Sequence, residues 1–473
     1  MDSSKTVRWE WSLWILTTAL GYGVLASLRA WGGARDVGLF LATMVGLFVL
    51  YALALWRFRV HGWARGARWV LGGAVLFRLV MLPTGIEGGW QGIPDDLRGD
   101  ELTAKPFLLY DNDVWRYLWD GHTLLHGVDT YRHSPAEIEA AADDGVEPFA
   151  ALLEEDLWQE VHARVSYGTY GTVYPPLAQA AFVLCTAVAP GSVVVWRLLL
   201  ILADLLACWL LVDLLRRRGQ GPALAAIYAW NPMVVQELAG SVHLDALMIP
   251  CLVLVAWCLD RGRPVAALTA LAGGILVKLT PLLLVPLVLR RTPWRTWWVL
   301  PACGLVAYAP FLASLPVMVD SLGAFSRDWT FNPGPWLLVH SLAQHLGLTG
   351  RALADGVGLA AALGTVLAIA WKEWRDFRGQ PKDDPEGFVR GVQWIFGVYL
   401  LMSPTVMPWY LLWVLPFWAL RPGILWPVVT AASLVSYGIY IDGVERWEWL
   451  LVEYLVVFGV MCGVLLHRQT ART

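Results

Sequence analysis

Long apolar stretches separated by short polar connections run through almost the whole chain. They begin near residues 9, 37, 67, 191, 221, 245, 264, 296, 352, 388, 405, 424 and 446, with a less regular stretch after 173. Most are long enough to cross a bilayer as a helix, which takes ~20 residues. They lack the alternating pattern of membrane barrel strands, and lipid tolerates only segments that satisfy their own backbone. The pattern predicts an all-α polytopic membrane protein with about 12 to 14 transmembrane helices.

One long segment breaks this pattern because it is polar and strongly acidic. Between Pro83 and Thr172 there are 18 Asp and Glu against 5 Lys and Arg, a net charge of −13, and the rest of the chain carries +10, which together give the total of −3. We therefore divide the chain into N-terminal transmembrane helices (1–82), an acidic loop with amphipathic helices (83–172) and a transmembrane bundle (173–473). All three are expected to form one integrated membrane domain.

Basic residues in the other connections predict which side of the membrane this loop faces. Clusters such as Arg57 to Arg68 and Arg290 to Arg295 should lie in the cytoplasm by the positive-inside rule, which puts the acidic loop outside. A simple count of crossings would leave the basic turns 216–221 and 260–263 outside. A break at VKLTP (277–281), with 173–190 only partly inserted, moves them inside and places the turn AGSVHLD (239–245) on the outer face with the loop.

The first half of the acidic loop has helical periodicity. From Asp113 to His126 one face is apolar, and Asp113, Arg116 or Tyr117, and Asp120 share another face. This spacing predicts an amphipathic helix at the membrane surface, which we expect to cover a cavity. A second helical stretch is expected around 136–163, and the Gly and Pro residues of 166–177 indicate a turn back into the membrane.

Composition agrees with a membrane protein and limits its chemistry. Hydrophobic residues make up 57% of the chain and charged residues only 15%, which is too apolar for a soluble core. The 29 Trp residues are typical of aromatic belts at membrane interfaces. All six Cys lie inside apolar runs without metal-ligand spacing, so free thiols are expected. The bilayer is the expected environment, and we expect no nucleic-acid partner.

Five short motifs occur in an order that resembles a known family. They are DVWRYLWDG with GVDTY in the acidic loop, YPPLAQ (174–179), NPMVVQELAGSVHLDAL (231–247), VKLTPLLL (277–284) and PWYLLW (408–413). Together they are similar to bacterial GT-C fold glycosyltransferases, and most similar to polyprenol-phosphate-mannose-dependent mannosyltransferases. The resemblance implies a polyprenyl phosphate sugar donor, an active site outside the cytoplasm and an acidic residue of the first large outer loop as base.

The residue types are compatible with that chemistry. Transfer of a sugar from a polyprenyl phosphate to a hydroxyl needs a base near the hydroxyl and cationic or hydrogen-bonding groups near the departing phosphate. One carboxylate is enough for an inverting single displacement, since the phosphate leaves with its own charge. The expected donor sugar is mannose, and the acceptor is a hydroxyl of a glycolipid, glycan or protein.

Asp113 is the candidate base, and Asp111 is the alternative. Asp113 heads the family-like run, although an Asp at a helix start is also an ordinary N-cap. Asp111 and Asp113 together form a D-x-D pattern, which is a weak signature of a divalent metal site. We expect no required cofactor, and the sequence leaves metal binding by this pair open.

Further candidates in the loop are less specific. Asp120 and Arg116 lie on the helix face of Asp113, where they can bind sugar hydroxyls or pair with each other at i, i+4 spacing. Tyr131 and Tyr174 belong to family-like elements, and we expect them to shape the loop.

Polar residues within the apolar runs are more informative, because charge is costly in a bilayer. Lys278 is the candidate for holding the donor phosphate, with snorkelling to the interface as the alternative. Donor or acceptor binding is expected from Glu237, His243 and Asp245, which cluster around the turn after residue 238. Trp409 and Tyr410 are candidates for a lipid groove.

Three further charges in the apolar runs have plain explanations. Arg78 and Arg197 are possible phosphate partners, but each lies near a predicted helix end, where a solvated charge is ordinary. Asp204 has no obvious partner, and a hydrogen bond between helices explains it.

Two other functions remain open at this point. A secondary transporter of a polar or lipid-linked substrate also has many helices, some of them broken. A lipid-linked glycan polymerase or ligase shares a large outer loop but not this motif order. Multi-pass insertion in the cell membrane is expected in every case.

Overall fold

The computed structural model describes residues 3–28, 37–63, 66–99, 101–104, 113–375, 382–442 and 447–470. Within these ranges the chain is helical and contains no β-strand, only isolated bridges at Ile86–Ala104 and Phe331–Thr405. The all-α class is therefore confirmed.

Three helices precede the acidic loop. They are α1 (Ser3–Leu28), α2 (Val37–His61) and α3 (Ala67–Val80). Aromatic rings join them to one another and to the rest of the bundle: Phe58 of α2 stacks on Trp11 of α1, and Phe77 of α3 meets Trp230 edge-on. These contacts fix the N-terminal helices against the segment that later carries the candidate site.

The acidic loop is folded into short helices. They are α4 (Ile93–Arg98), α5 (Asp113–Leu125), α6 (Pro135–Asp143) and α7 (Asp156–Ala163), with 3-10 turns at Gly89–Gln91 and Ala150–Leu153. The helix predicted from 113 is present, and α8 and α7 pack against it. Every residue from Val114 to Thr123 is buried, so α5 is covered on its polar face as well as on its apolar face. Its polar residues must therefore find partners within the protein.

The central part of the chain packs around the loop. Its helices are α8 (Pro176–Val188), α9 (Val193–Arg217), α10 (Ala226–Ala229), α11 (Pro232–Val234), α12 (Asp245–Leu259), α13 (Pro264–Val277) and α14 (Val285–Leu289), with a π-helical segment at Val235–Gly240 and 3-10 turns at Pro222–Ala225 and Thr280–Leu284. The helix break predicted at VKLTP is present, since α13 ends at Val277 and Lys278 is extended. A proline in the next turn cannot donate to a continuing helix.

The C-terminal part completes the bundle. It consists of α15 (Val299–Tyr308), α16 (Leu315–Asp328), α17 (Gly334–His345), α18 (Gly350–Trp374), α19 (Pro385–Leu401), α20 (Leu415–Leu420), α21 (Leu425–Ala432), α22 (Ile439–Asp442) and α23 (Trp447–Thr470), with 3-10 turns at Trp294–Thr296, Ala309–Ser314, Pro408–Trp413 and Ser433–Gly438.

Apolar helices of two lengths make up the membrane part. Five described segments are long and apolar enough to span a bilayer, and the shorter apolar helices include Pro176–Val188, Asp245–Leu259 and Pro264–Val277. The long segments are Glu10–Leu28, Val37–His61, Val193–Arg217, Trp294–Ala324 and Gly350–Trp374. A polytopic membrane protein is confirmed, and the number of crossings stays a prediction.

A buried ion pair joins α3 to α9. Nε of Arg78 donates to Oδ2 of Asp204 at 2.5 Å, and the Arg78 guanidinium also donates to the carbonyl oxygens of Ala74 and Ala229. Tyr228 donates to the other oxygen of Asp204. The expectation of a solvated charge at Arg78 is wrong, because α9 and α10 enclose the side chain. The expected bond from Asp204 to another helix is present.

Candidate active site

A strained turn after α11 carries three of the predicted site residues. The chain runs through the π-helical segment Val235–Gly240, and Val242 then adopts a φ of +60°. A β-branched residue avoids that conformation, and both π-helical turns and such strain are frequent at functional sites. The result is that Glu237, His243 and Asp245 point into the protein interior, each at most 1% exposed.

Arg197 holds this turn in place. Its guanidinium donates to the carbonyl oxygens of Ala239 at 2.8 Å and Gly240 at 3.2 Å, and to those of Leu82 and Thr84 at 2.7 Å each. The expectation that Arg197 is solvated at a helix end, or free to bind phosphate, is wrong because four backbone carbonyls surround it. The residue instead ties the turn to the start of the acidic loop.

Asp113, at the start of α5, lies next to this turn. Its Oδ2 lies 3.9 Å from Nδ1 of His243, and Nε2 of His243 lies 3.2 Å from Oε2 of Glu237. Tyr437 donates to Oε1 of Glu237 at 2.6 Å, and Tyr117 donates to Asp113 at 3.4 Å. The acidic loop and the 239–245 turn thus lie on the same side of the molecule, as the preferred topology predicts.

The imidazole of His243 is fixed from one face by an indole. Its ring stacks on that of Trp409 with centroids 3.5 Å apart and an angle of 20° between the planes. The His243 side chain is fully buried, whereas that of Asp113 remains 29% exposed. Of Asp113, His243 and Glu237, Asp113 is therefore the group that an incoming molecule can reach.

A second ion pair lies beside the first cluster. Nζ of Lys278 is 2.9 Å and 3.2 Å from the two oxygens of Asp245, and Trp413 donates to the nearer oxygen at 2.5 Å. The ammonium also lies over the ring of Tyr410, 4.1 Å from its centroid, which is favourable for a cation. Lys278 is 19% exposed and Asp245 is buried, so the cation is the accessible partner.

The surroundings raise the pKa of Asp113. Burial is the largest cause, because the charged carboxylate loses water; the positive charges of His243 and Lys278 oppose that effect, and the carboxylate of Asp245 adds to it. A raised pKa makes this carboxylate a stronger proton acceptor than an exposed aspartate.

Arg116 and Asp120 pair with each other on α5. Nε of Arg116 donates to Oδ1 of Asp120 at 2.7 Å, and the guanidinium also donates to the carbonyl of Tyr170. The amide of Gln179 donates to Oδ2 of Asp120 at 3.0 Å and to Thr172 at 2.9 Å. Both oxygens of Asp120 have protein donors, so this network fastens α5 to the start of α8.

Tyr131 and Tyr174 are close together in the loop. The hydroxyl of Tyr131 donates to the carbonyl of Tyr174 at 2.8 Å. The ring of Tyr174 meets that of Tyr117 edge-on, with centroids 5.2 Å apart, and Tyr117 stacks on Phe182. These contacts support the α5 residues next to Asp113.

Gly121 permits the close approach of α5 to α8. A Cβ at this position would lie 2.4 Å from Oγ1 of Thr186 and 2.6 Å from the carbonyl oxygen of Phe182. Since both distances are far below van der Waals contact, a larger residue would push the two helices apart. The position of Asp113 therefore depends on a glycine two turns away.

Asp111 lies outside the residues that the structure describes. Within the described ranges, no group of three His, Cys, Asp or Glu side chains is arranged to hold a metal ion. Metal binding by Asp111 and Asp113 stays a prediction.

Three residues of the site were not among the sequence candidates. Trp413 ends the PWYLLW motif, so the motif could have identified it from the sequence. Gln179 ends the YPPLAQ motif. Tyr437 lies 200 residues from Glu237, in a segment without a motif, so the sequence carried no signal for it.

Comparison with known proteins places these residues in a family. A family model described as the N-terminal domain of alpha-(1->6)-mannopyranosyltransferase matches residues 102–292, and one described as the MptB C-terminal domain matches 338–468. The first match contains the acidic loop from residue 102 onwards, the strained turn and Lys278.

Curated relatives agree with this assignment. The chain is 25% identical to a probable alpha-(1->6)-mannopyranosyltransferase of Mycolicibacterium smegmatis, over 78% of this chain and 72% of that protein. It is 24% identical to alpha-(1->6)-mannopyranosyltransferase A of Mycobacterium tuberculosis, over 78% and 74%. It is 23% identical to alpha-(1->6)-mannopyranosyltransferase B of Corynebacterium glutamicum, over 77% and 63%. The chain belongs to the MptA/MptB family of GT-C membrane mannosyltransferases, and it is a mannosyltransferase.

Proposed function

We propose that this mannosyltransferase moves mannose from a polyprenyl phosphate donor to an acceptor hydroxyl, by inverting single displacement on the extracytoplasmic face of the cell membrane. The acceptor is a glycolipid, glycan or protein. By likeness to its relatives, whose names specify an α-(1→6) linkage, the attacking group is the 6-hydroxyl of an acceptor sugar.

One observation carries the proposal. Asp113 is the accessible member of a chain of three ionisable groups, Asp113, His243 and Glu237, that joins the acidic loop to the membrane-embedded turn. A partly exposed carboxylate with buried supporting groups is the arrangement that a base requires, because those groups fix its position while it meets substrate.

The reaction needs one proton transfer and one displacement. Asp113 accepts the proton of the acceptor hydroxyl as its oxygen forms a bond to the anomeric carbon of mannose. The bond from that carbon to the phosphate oxygen breaks, and its electron pair leaves with the polyprenyl phosphate. The configuration of the anomeric carbon inverts, and Asp113 later returns its proton to water.

Lys278 is the proposed contact for the donor phosphate. Its ammonium is partly exposed and has its counter-ion, Asp245, on the buried side. A phosphate on the exposed side of Lys278 forms a charge-assisted contact with the ammonium. The hydrogen bond from Trp413 holds Asp245 in place on the buried side. Tyr410, over which the ammonium lies, and Trp409 border the same region and are proposed to contact the lipid chain.

His243 and Glu237 are proposed to position the base. Glu237 accepts from Tyr437 and lies against His243, and Trp409 blocks rotation of the imidazole. When the His243 imidazole is protonated, its charge favours the carboxylate form of Asp113, which is the form that accepts a proton.

The charge distribution supports an extracytoplasmic site. The loop that carries Asp113 has a net charge of −13, and the remaining connections are basic. Positively charged connections stay in the cytoplasm during insertion, so the acidic loop is left on the other side.

The decisive experiment is transfer of radiolabelled mannose from synthetic polyprenyl phosphate mannose by the purified protein. Wild type is compared with Asp113→Asn and Asp111→Asn, with and without a chelator. Product from wild type and none from Asp113→Asn supports both the donor and the base. An inactive wild type overturns the donor assignment, and an active Asp113→Asn overturns the base.

A further inference from the structure

A cavity unrelated to the candidate active site lies between α18 and α19. Its volume is about 380 Å³, within the range of small-molecule sites, roughly 300–1,000 Å³. One wall is formed by Ala368, Ile369 and Trp394, and the other end is lined by charged residues. The cavity is therefore apolar at one end and ionic at the other.

The carboxylates of the ionic end already have cationic partners. Glu373 is buried and pairs with Arg291 at 3.1 Å and Lys382 at 2.8 Å. Asp384 accepts from the backbone of Gly387 at 2.7 Å and lies 3.5 Å from Lys382. Two acidic groups and two cations thus balance each other, and neither carboxylate is left to neutralise another cation.

Two further cations border the same cavity. Lys372 and Arg390 are exposed, and neither forms an ion pair or hydrogen bond with any residue in the described part of the chain. Because the two carboxylates that line the described part of the cavity are already paired, Lys372 and Arg390 add positive charge to that lining. Such a site attracts an anion.

The position of the cavity along the helices identifies the kind of anion. Lys372 lies in the last turn of α18, at the end of the candidate span Gly350–Trp374. Next to it, Leu367, Trp371 and Trp394 are 67%, 73% and 59% exposed. Tryptophan is enriched at the membrane–water interface, and basic pockets between helices at that depth bind anionic lipid headgroups.

We propose that this cavity binds the phosphodiester headgroup of an anionic phospholipid. Lys372 and Arg390 contact the phosphate, and the acyl chains leave along the wall formed by Ile369 and Trp394. The bound lipid bridges the end of α18 and the start of α19. This proposal is independent of the donor and of the active site.

The test measures lipid binding directly. Native mass spectrometry of the purified full chain, titrated with phosphatidylglycerol and separately with phosphatidylcholine of the same acyl chains, gives the Kd of each lipid. The double variant Lys372→Gln with Arg390→Gln is compared with Arg68→Gln with Arg295→Gln, which removes two exposed cations elsewhere. Thermal unfolding in phosphatidylcholine nanodiscs checks that both variants fold.

We expect wild type and the control variant to prefer phosphatidylglycerol, and the cavity variant to bind it about tenfold more weakly, since each cation contributes appreciably near an anionic headgroup. Equal affinity of both variants for phosphatidylglycerol overturns the proposal. So does full displacement of the lipid by millimolar inorganic phosphate, which would indicate a site for free phosphate.

Discussion

The ring of His243 lies 3.5 Å from that of Trp409 and nearly parallel to it, although 166 positions separate them in the chain. This stack joins the strained turn to the 3-10 turn Pro408–Trp413. Asp245 and Trp413, two and four residues further along these segments, are hydrogen-bonded. Two contacts between the same segments thus hold the neighbour of the proposed base Asp113 and the neighbour of the proposed phosphate ligand Lys278.

Loss of the Asp113 carboxylate should abolish transfer without unfolding the protein. Asp113→Asn is expected to lower kcat by about 10²–10⁴-fold, because a general base contributes that much. The control is thermal stability, which should match wild type, since an amide of the same size fits the site. An Asp113→Asn enzyme with wild-type kcat would exclude Asp113 as the base.

The pH profile should report the raised pKa of Asp113. Activity is present while the carboxyl is ionised and is lost as the pH falls through its pKa, because a protonated carboxyl accepts no proton. Burial raises that pKa, so the loss should occur at higher pH than for an exposed aspartate. His243→Asn removes a positive neighbour that lowers the pKa, and should move the acidic limb of kcat further upward. An unmoved limb would contradict this coupling.

Replacement of Glu237 should affect turnover more than donor binding. Glu237→Gln is expected to reduce kcat by about tenfold or more with little change in the donor KM, because the carboxylate acts through His243 and does not touch the donor. Glu237→Asp keeps the charge and should recover part of the activity. A large rise in donor KM with unchanged kcat would instead place Glu237 in the donor site.

Replacing Lys278 should lower both the stability and the donor affinity, and a second replacement at Asp245 should restore only the stability. Lys278→Met leaves Asp245 buried without its cation, which typically costs about 3–5 kcal/mol. Adding Asp245→Asn should restore much of the stability, while the donor KM stays high because no cation faces the phosphate. Thermal unfolding and donor titration of the single and double variants measure both effects. A double variant with a wild-type donor KM would argue against phosphate binding by Lys278.

Gly121→Ala should impair catalysis from a distance. The added methyl group would lie 2.4 Å from Thr186, so α5 must move away from α8 and Asp113 moves with it. We expect lower thermal stability and a lower kcat. Gly46→Ala in α2 is the matched control, because nothing lies within 4 Å of a Cβ there. Equal behaviour of the two variants would show that α5 tolerates the displacement.

Local pattern was enough to predict the helical class, the helix from Asp113, the break at Lys278 and the pairing of Arg116 with Asp120. Each depends on residues close together in the sequence or on membrane thickness. The partners of Arg78 and Arg197 could not be predicted in this way. Their charges are compensated by residues more than 100 positions away in most cases, and only packing brings those together. Tyr437 was missed for the same reason.

The bond between Arg78 and Asp204 also constrains biosynthesis. The two residues are 126 positions apart, so the ribosome completes α3 well before it makes the carboxylate that neutralises Arg78. An arginine at the centre of a bilayer costs roughly 2.5–3.5 kcal/mol even by insertion scales. Because α3 is only 14 residues long, we expect it to stay near the lipid headgroups until α9 has left the ribosome. Its final depth is then set only once α9 has been made, so α3 is synthesised first but reaches its final depth together with α9.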